Sequence, residues 1–161
     1  MYDGTFSEKR NHVIITYTQD DGTVEKWSTE DLSALEAAAV EEAMGGDVPW
    51  RGIENLLRAQ DVTALRAVLW AFRRRADKDL QFADFDVPGW KRRLRARIER
   101  SEIDDVFTNV MSQALAKNED ASIDVLLPDL RKLAEDPADV DAALDALGKG
   151  HLVRHRQDSA G

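Results

Sequence analysis

Side chains able to do acid–base, nucleophilic or metal chemistry are sparse in this sequence and poorly spaced. The three histidines are His12, His151 and His155. The last two stand four apart, a spacing that can place two imidazoles on one helix face. They lie, however, in a polar tail with no helical stripe, so no metal site is predicted. Cysteine is absent. That excludes disulfides, thiolate metal sites and cysteine nucleophiles, and it is compatible with a reducing cytoplasm. Ser112 and Ser122 lack a nucleophile-elbow context. The acidic pairs Glu41-Glu42 and Asp104-Asp105 are adjacent, so on a helix they diverge. Gly45-Gly46 lacks the flanking residues of a phosphate-binding loop. No catalytic residue, metal ligand or cofactor site is predicted, and the sequence reads as non-enzymatic.

The chemistry that remains is that of arginine. The chain of 161 residues carries a net charge of −9, unevenly spread. Residues 1–72 hold 6 basic and 13 acidic side chains, residues 73–100 hold 10 and 5, and residues 101–161 hold 6 and 13. An acidic protein with one basic band is a poor general nucleic-acid binder, because its overall field repels phosphate. The band can pair with the protein's own acidic helices or with an acidic partner. A nucleic-acid-binding or regulatory module using residues 73–100 is the alternative to keep in view. No apolar run approaches the roughly 20 residues of a membrane span, and no signal-peptide core is present.

The elements that position these arginines follow from periodicity. The stretch from Asp61 to Asp86 organises the rest. Asp61 is a good N-cap, and Val62, Leu65, Val68, Leu69 and Phe72 recur at helical spacing. Arg73, Arg74 and Arg75 fall in the last turn, where cations complement the helix dipole. Asp77 to Asp79 break the pattern, and Leu80, Phe82 and Phe85 form a short apolar clip able to fold back onto the helix. Upstream, HVIITYT (12–18) and TVEKWS (23–28) read as a hairpin around Asp21-Gly22. The simplest register puts Trp27 and Ile14 on one face, with Tyr17 and Val24 on the other. Ser28 or Thr29 then caps a helix running to about Met44, with Ser28 and Asp31 approximating a capping box. Leu32, Leu35, Ala39 and Ala43 form its stripe. Gly45 is a plausible left-handed stop. Asp47 is placed to cap a short helix carrying Trp50, Ile53, Leu56 and Leu57.

Val87-Pro88-Gly89 marks a boundary. WKRRLRARIER beyond it places Trp90, Leu94 and Ile98 on a narrow i, i+4 helical stripe, with Arg92, Arg93, Arg95 and Arg97 covering the rest. Those arginines either solvate a surface helix, their stems shielding apolar surface, or offer a partner-binding or phosphate-binding face. Ile103, Val106, Phe107, Val110, Met111, Ala114 and Leu115 form a further stripe, with Phe107 and Met111 as candidate partner contacts. Pro128 and Pro137 suit first-turn positions, and Asp136 is placed to cap the last helix, which Gly148 ends. A chain this long buries about 70% of its unfolded surface without staples. The fold expected is mainly α: an N-terminal β-hairpin packed on a small helical bundle, with a C-terminal helical extension. The divisions expected are a flexible N-terminus (1–12), a hairpin plus helical core (13–87), a helical extension (88–148) and a disordered tail (149–161).

WSTEDLSALEAAAVEEAMGG, the later Trp50 and VLWAFRRRADKDLQFADFD together resemble the tail assembly chaperones of long-tailed, siphovirus-type phages, particularly those of actinobacteria. In that family a hairpin leads into an LS-x-x-E-A helix ending in glycine. A Trp-containing helix follows, then an LW-x-x-x-RR helix with an acidic and aromatic segment behind it. The matching positions are Leu32, Ser33, Glu36, Ala37, Gly45, Trp50, Leu69, Trp70, Arg74, Arg75, Leu80, Phe82 and Phe85. Leu35 and Phe72 accompany them as core positions. The resemblance covers roughly residues 23–87, and no single motif in it is specific.

The resemblance implies a chaperone that binds the tape-measure protein and promotes tail-tube assembly. Its partners would be the tape-measure protein and the tail-tube subunit, with a homo-oligomer left open. It would act in the host bacterial cytoplasm and be absent from the mature virion. Such a role needs apolar surface that shields partner helices reversibly, which amphipathic helices such as 102–116 can supply. The same stripes can equally be internal core. The resemblance also implies a −1 ribosomal frameshift near the end of the reading frame. Leu147-Gly148-Lys149 can be encoded by the slippery heptamer G-GGA-AAG, although Leu-Gly-Lys is equally an ordinary helix C-terminus.

Overall fold

The computed structural model describes residues 12–119 and 123–158, with side chains described as far as Gly148. The architecture is mainly α, with a small antiparallel sheet packed against helices. Strands β1 (Ile14–Thr18) and β2 (Val24–Ser28) form the expected hairpin. The register differs from the simplest one: Ile15 lies opposite Trp27 and Tyr17 opposite Glu25. Directly opposed residues share a face, so Trp27 sides with Ile15 and Tyr17, and Ile14 faces the other way. Val13, fully buried, extends the pairing through its backbone bonds with Thr29.

The helix predicted from Ser28 starts later. Ser28 caps only a short 3-10 turn, Thr29–Asp31. Helix α1 (Ala34–Ala43) is capped instead by Ser33, whose hydroxyl accepts from the Glu36 amide while Glu36 accepts from the Ser33 amide. That capping box outcompetes Ser28-x-x-Asp31 because Glu reaches back where Asp is too short. The stripe shifts with it: Val40 is buried and Leu35 is 84% exposed. Gly45 (φ +102°) ends α1, with Gly45 and Gly46 amides bonded to the Glu42 and Glu41 carbonyls. This is the glycine-stopped Schellman geometry.

Helix α2 (Trp50–Arg58) begins directly after Pro49, and the Asp47 side chain does not cap it. Helix α3 (Val62–Arg73) is capped by Asp61, as expected. It is buried more widely than one stripe predicts: Ala64, Leu65, Ala67, Val68, Leu69, Trp70, Ala71 and Phe72 are all buried. The alanines let neighbours close in on every side, which makes α3 the axis of the first core.

The largest departure lies beyond Gly89. Helix α4 (Trp90–Arg93) is one turn, and Leu94–Arg97 is a third strand, β3, paired antiparallel to β1. Spacing of four fits a helix and a strand face equally. Ala96, fully buried between Leu94 and Ile98, decides for period two. The edge of β1 left open by the hairpin supplies the partner, so the sheet order is β2-β1-β3. Leu94 and Ala96 therefore join the first core, on the far side of the boundary expected at residue 88.

A second core begins at Ile98 and takes in Ile103, Phe107, Leu127, Leu130, Ala134, Val140 and Ala143. It is built by α5 (Arg100–Lys117), α6 (Leu127–Leu133) and α7 (Ala138–Asp158). Pro128 lies in the first turn of α6, and Asp136 accepts from the Ala138 amide at the start of α7. Helix α7 does not stop at Gly148 but runs on to Asp158. The flexible N-terminus expected over residues 1–12 falls outside the described residues, apart from His12.

The two cores are tied together. Ile98 bridges Ala134 in parallel, and Lys26 pairs with Glu135 at 2.6 Å. Arg58 grips the buried carboxylate of Glu102 with two bonds, 2.5 and 3.2 Å.

Candidate functional site

The C-terminal end of α3 gathers the residues of most interest. Consecutive helical positions point about 100° apart, so Arg73, Arg74 and Arg75 fan toward three different neighbours. Arg73 reaches the hairpin, donating to Glu25 at 2.7 Å with its guanidinium 5.4 Å from the Tyr17 ring centroid. Burial pushes the Glu25 carboxyl up, but hydrogen bonds from Arg73 and Gln19 outweigh it and hold the group below the usual carboxylate range. Arg74 lies 4.9 Å over the Trp70 ring. Arg75 makes a two-pronged bond with Glu36, at 2.7 and 2.9 Å, and a third to the Asp31 carbonyl at 2.8 Å. This fork, stronger than the opposing burial and supported by the Ser33 amide, pulls the Glu36 carboxyl down to about 2. The same glutamate thus caps α1 and locks α1 to α3.

The clip closes the other side. The Trp70 indole donates to the Leu80 carbonyl at 3.0 Å and meets Phe82 edge-on, centroids 5.4 Å apart. Arg66 lies 4.0 Å over the Phe82 ring and donates to the Phe82 and Phe85 carbonyls at 3.1 and 2.8 Å. Leu80, Phe82 and Phe85 are half-buried against the first core. The hairpin, in turn, is sealed by Trp27 stacked on Phe72 at 4.8 Å.

Between α1 and α3 the packing leaves an open groove of about 300 Å³. The buried Ala71 and half-buried Ala39 lie at its floor, and the exposed Leu35 and Lys78 stand at its edge with Arg74 and the Glu36–Arg75 pair. Arrangements of this kind, apolar in the floor and charged at the edge, suit reversible binding of a partner segment. Among the described residues, no group of three or more His, Cys, Asp or Glu could hold a metal ion. No helix among them is long and apolar enough to cross a membrane.

The structure brings several of the sequence-selected residues together: Leu35, Glu36, Leu69, Trp70, Phe72, Arg74, Arg75, Phe82 and Phe85 all lie on or around α3. Leu32 and Trp50 are half-buried against the same core, Trp50 donating to Glu54 at 3.1 Å. The arginines of 92–97 form no helical face. Arg92 is exposed, and Arg93 pairs with Asp20. Arg95 and Arg97 alternate along β3 with the inward Leu94 and Ala96, and Arg97 donates to the Lys132 carbonyl. Burial and the Arg95 charge push the Arg97 guanidinium below its usual range. Phe107, a candidate partner contact, is 1% exposed within the second core, which removes it from any binding surface; Met111 is half-buried. Leu147 packs on the second core and Gly148 is exposed, while the Lys149 side chain lies outside the described residues. Two residues that tie the first core together escaped sequence reasoning. Arg66 stands alone inside an apolar helical run, which was its signal. Gln60 adopts a left-handed φ of +62° and bonds both backbone groups of Ala96, at 2.9 Å each; nothing local announced it.

Comparison with protein families, curated proteins and solved structures finds no match to this chain.

Proposed function

We propose that this chain is a phage tail assembly chaperone, a non-enzymatic protein that shields the helical tape-measure protein and promotes assembly of tail-tube subunits around it. One observation supports this reading above the others. Motif residues scattered between Glu36 and Phe85 in the sequence meet around the end of α3, beside a groove with an apolar floor and a charged rim. A surface of that composition holds helices without burying them irreversibly. On this reading the protein works in the host cytoplasm and leaves before the virion is complete.

Co-expression with the tape-measure protein encoded by the same genome tests the proposal. The expected result is a larger soluble fraction of that protein, co-purification with this chain, and absence of this chain from purified virions. Unchanged solubility, or a stoichiometric place in the virion, would refute it. Titration of duplex DNA binding against salt covers the nucleic-acid alternative, which requires measurable affinity with a steep salt slope.

A further inference from the structure

We infer that the groove between α1 and α3 is a docking site for a partner helix presenting a large apolar side chain flanked by carboxylates. Leu35 is the most exposed large hydrophobic residue of the described chain, at 84%, and it stands at the lip of a groove floored by Ala39 and Ala71. Two alanines lining the seam of a helix pair leave room that a larger residue from outside can fill. The charge around the groove selects the partner. Arg73, Arg75 and Arg93 each hold a carboxylate of this chain. Arg74 and Lys78, four residues apart on the rim, bond no carboxylate among the described residues. In a chain of net charge −9, cations left without acidic partners beside an apolar notch face outward to an acid that comes from elsewhere. The same net charge disfavours nucleic acid and anionic lipid, which would meet the field of the whole molecule, whereas a short acidic helix meets mainly the rim. Arg74 is held in place on the rim, because its guanidinium rests on Trp70, which is itself tethered to Leu80. The helical nature of the partner rests on the chaperone reading above; the apolar-and-acidic chemistry rests on the groove.

Fluorescence anisotropy of the full chain with labelled, alanine-based helical peptides of about 18 residues provides the test. One peptide carries phenylalanine with glutamates one turn away on each side, the second replaces the glutamates by lysine, and the third replaces phenylalanine by alanine. The expected result is saturable binding of the first, at least about tenfold tighter than either of the others. Leu35→Asp and the double variant Arg74→Gln with Lys78→Gln should each weaken it by about tenfold or more, with circular dichroism unchanged. The melting temperature should hold for Leu35→Asp, which lies at the surface, and fall slightly for the double variant, which loses the Arg74 contact with Trp70. Equal binding of all three peptides, no binding of the first, or indifference to the variants overturns the proposal. So does a concentration-dependent dimer abolished by Leu35→Asp, which assigns the groove to a second copy, or competition by a duplex oligonucleotide, which assigns the rim to phosphate. Failure here with tape-measure solubilisation intact sinks the groove and spares the chaperone reading. Peptide binding without solubilisation does the reverse.

Discussion

Replacing Trp70 by alanine removes a side chain that does several things at once, the support of Arg74 among them. It is only 7% exposed at the heart of the first core, it donates its indole proton to the Leu80 carbonyl at 3.0 Å, and it packs edge-on against Phe82. Truncating a buried aromatic costs about 3–5 kcal/mol. The hydrogen bond contributes about 0.5–1.5 of that and the aromatic pair a similar share. For a domain of this length each kcal/mol moves the melting temperature by about 2–4 °C, so Trp70→Ala should melt roughly 6–20 °C lower. Trp70→Phe separates the terms: it keeps most of the ring and loses the tether, and should cost about 1–2 kcal/mol. Urea denaturation followed by far-UV circular dichroism measures both. Limited trypsin digestion gives a local readout, because release of the clip loosens the chain around the already exposed Lys78, and both variants should be cut there faster than wild type. A Trp70→Ala melt within a degree of wild type would refute the reasoning. Equal costs for alanine and phenylalanine would show that the tether, rather than packing, dominates.

The neighbouring contacts set further expectations. Glu36 titrates near 2 in the folded chain against an ordinary 4.5, with Arg75 the main cause. A depressed folded-state value contributes stability above pH 4.5 and loses it as the pH falls toward 2. The melting-temperature gap between wild type and Glu36→Gln should therefore close over that window, and a gap constant with pH would contradict the pairing. Gln60→Gly relieves the left-handed backbone but leaves both buried backbone groups of Ala96 unpartnered, so it should destabilise by about 1–3 kcal/mol in urea titrations; a stabilised variant would show the amide bonds to be worthless. Changing Arg92, Arg93, Arg95 and Arg97 together to Gln should preserve the circular dichroism spectrum and lower the melting temperature slightly, through Asp20 and the Lys132 carbonyl; loss of tape-measure solubilisation with the fold intact would make the band a partner site. Sequencing the gene across codons 147–149 checks the frameshift: the idea fails if the heptamer is missing or the −1 frame closes at once.

What the sequence made legible was local. Asp61 as a cap, Gly45 as a stop, the Asp-Gly hairpin turn and the clip after Arg75 each depend on side chains within a few residues of the backbone they serve, and each was readable at that range. The stripe of α3 was readable too, but not its burial on nearly all sides, because alanine scores weakly in any pattern yet is what lets neighbours approach. Strand β3 was lost for the opposite reason. Leu94 and Ile98 satisfy both periods, four arginines favour a helical surface, and the deciding fact was an unpaired edge on β1, 79 residues upstream of Arg95, whose carbonyl accepts from Thr16. No window on the chain contains that information.

The same distinction explains the arginines. From sequence, Arg73 to Arg100 is one basic band, and its charge invites one acidic partner. In the fold the band is divided by geometry. A helix end sends three consecutive arginines in three directions, and a strand sends alternate residues to opposite faces. Arg73 and Arg75 go to Glu25 and Glu36, Arg93 goes to Asp20, and Arg97 turns to a backbone carbonyl. These pairings join hairpin, α1, α3 and the second core, so four arginines of the band hold elements together. What is left facing outward at the end of α3 is Arg74 with Lys78, four residues on, beside the exposed Leu35. Lys91, Arg92 and Arg95 also lie outside these pairings, but Arg74 and Lys78 are the ones that line a groove with an exposed apolar neighbour. It is this conjunction of charge left over and hydrophobe left bare that gives the groove between α1 and α3 its claim to function.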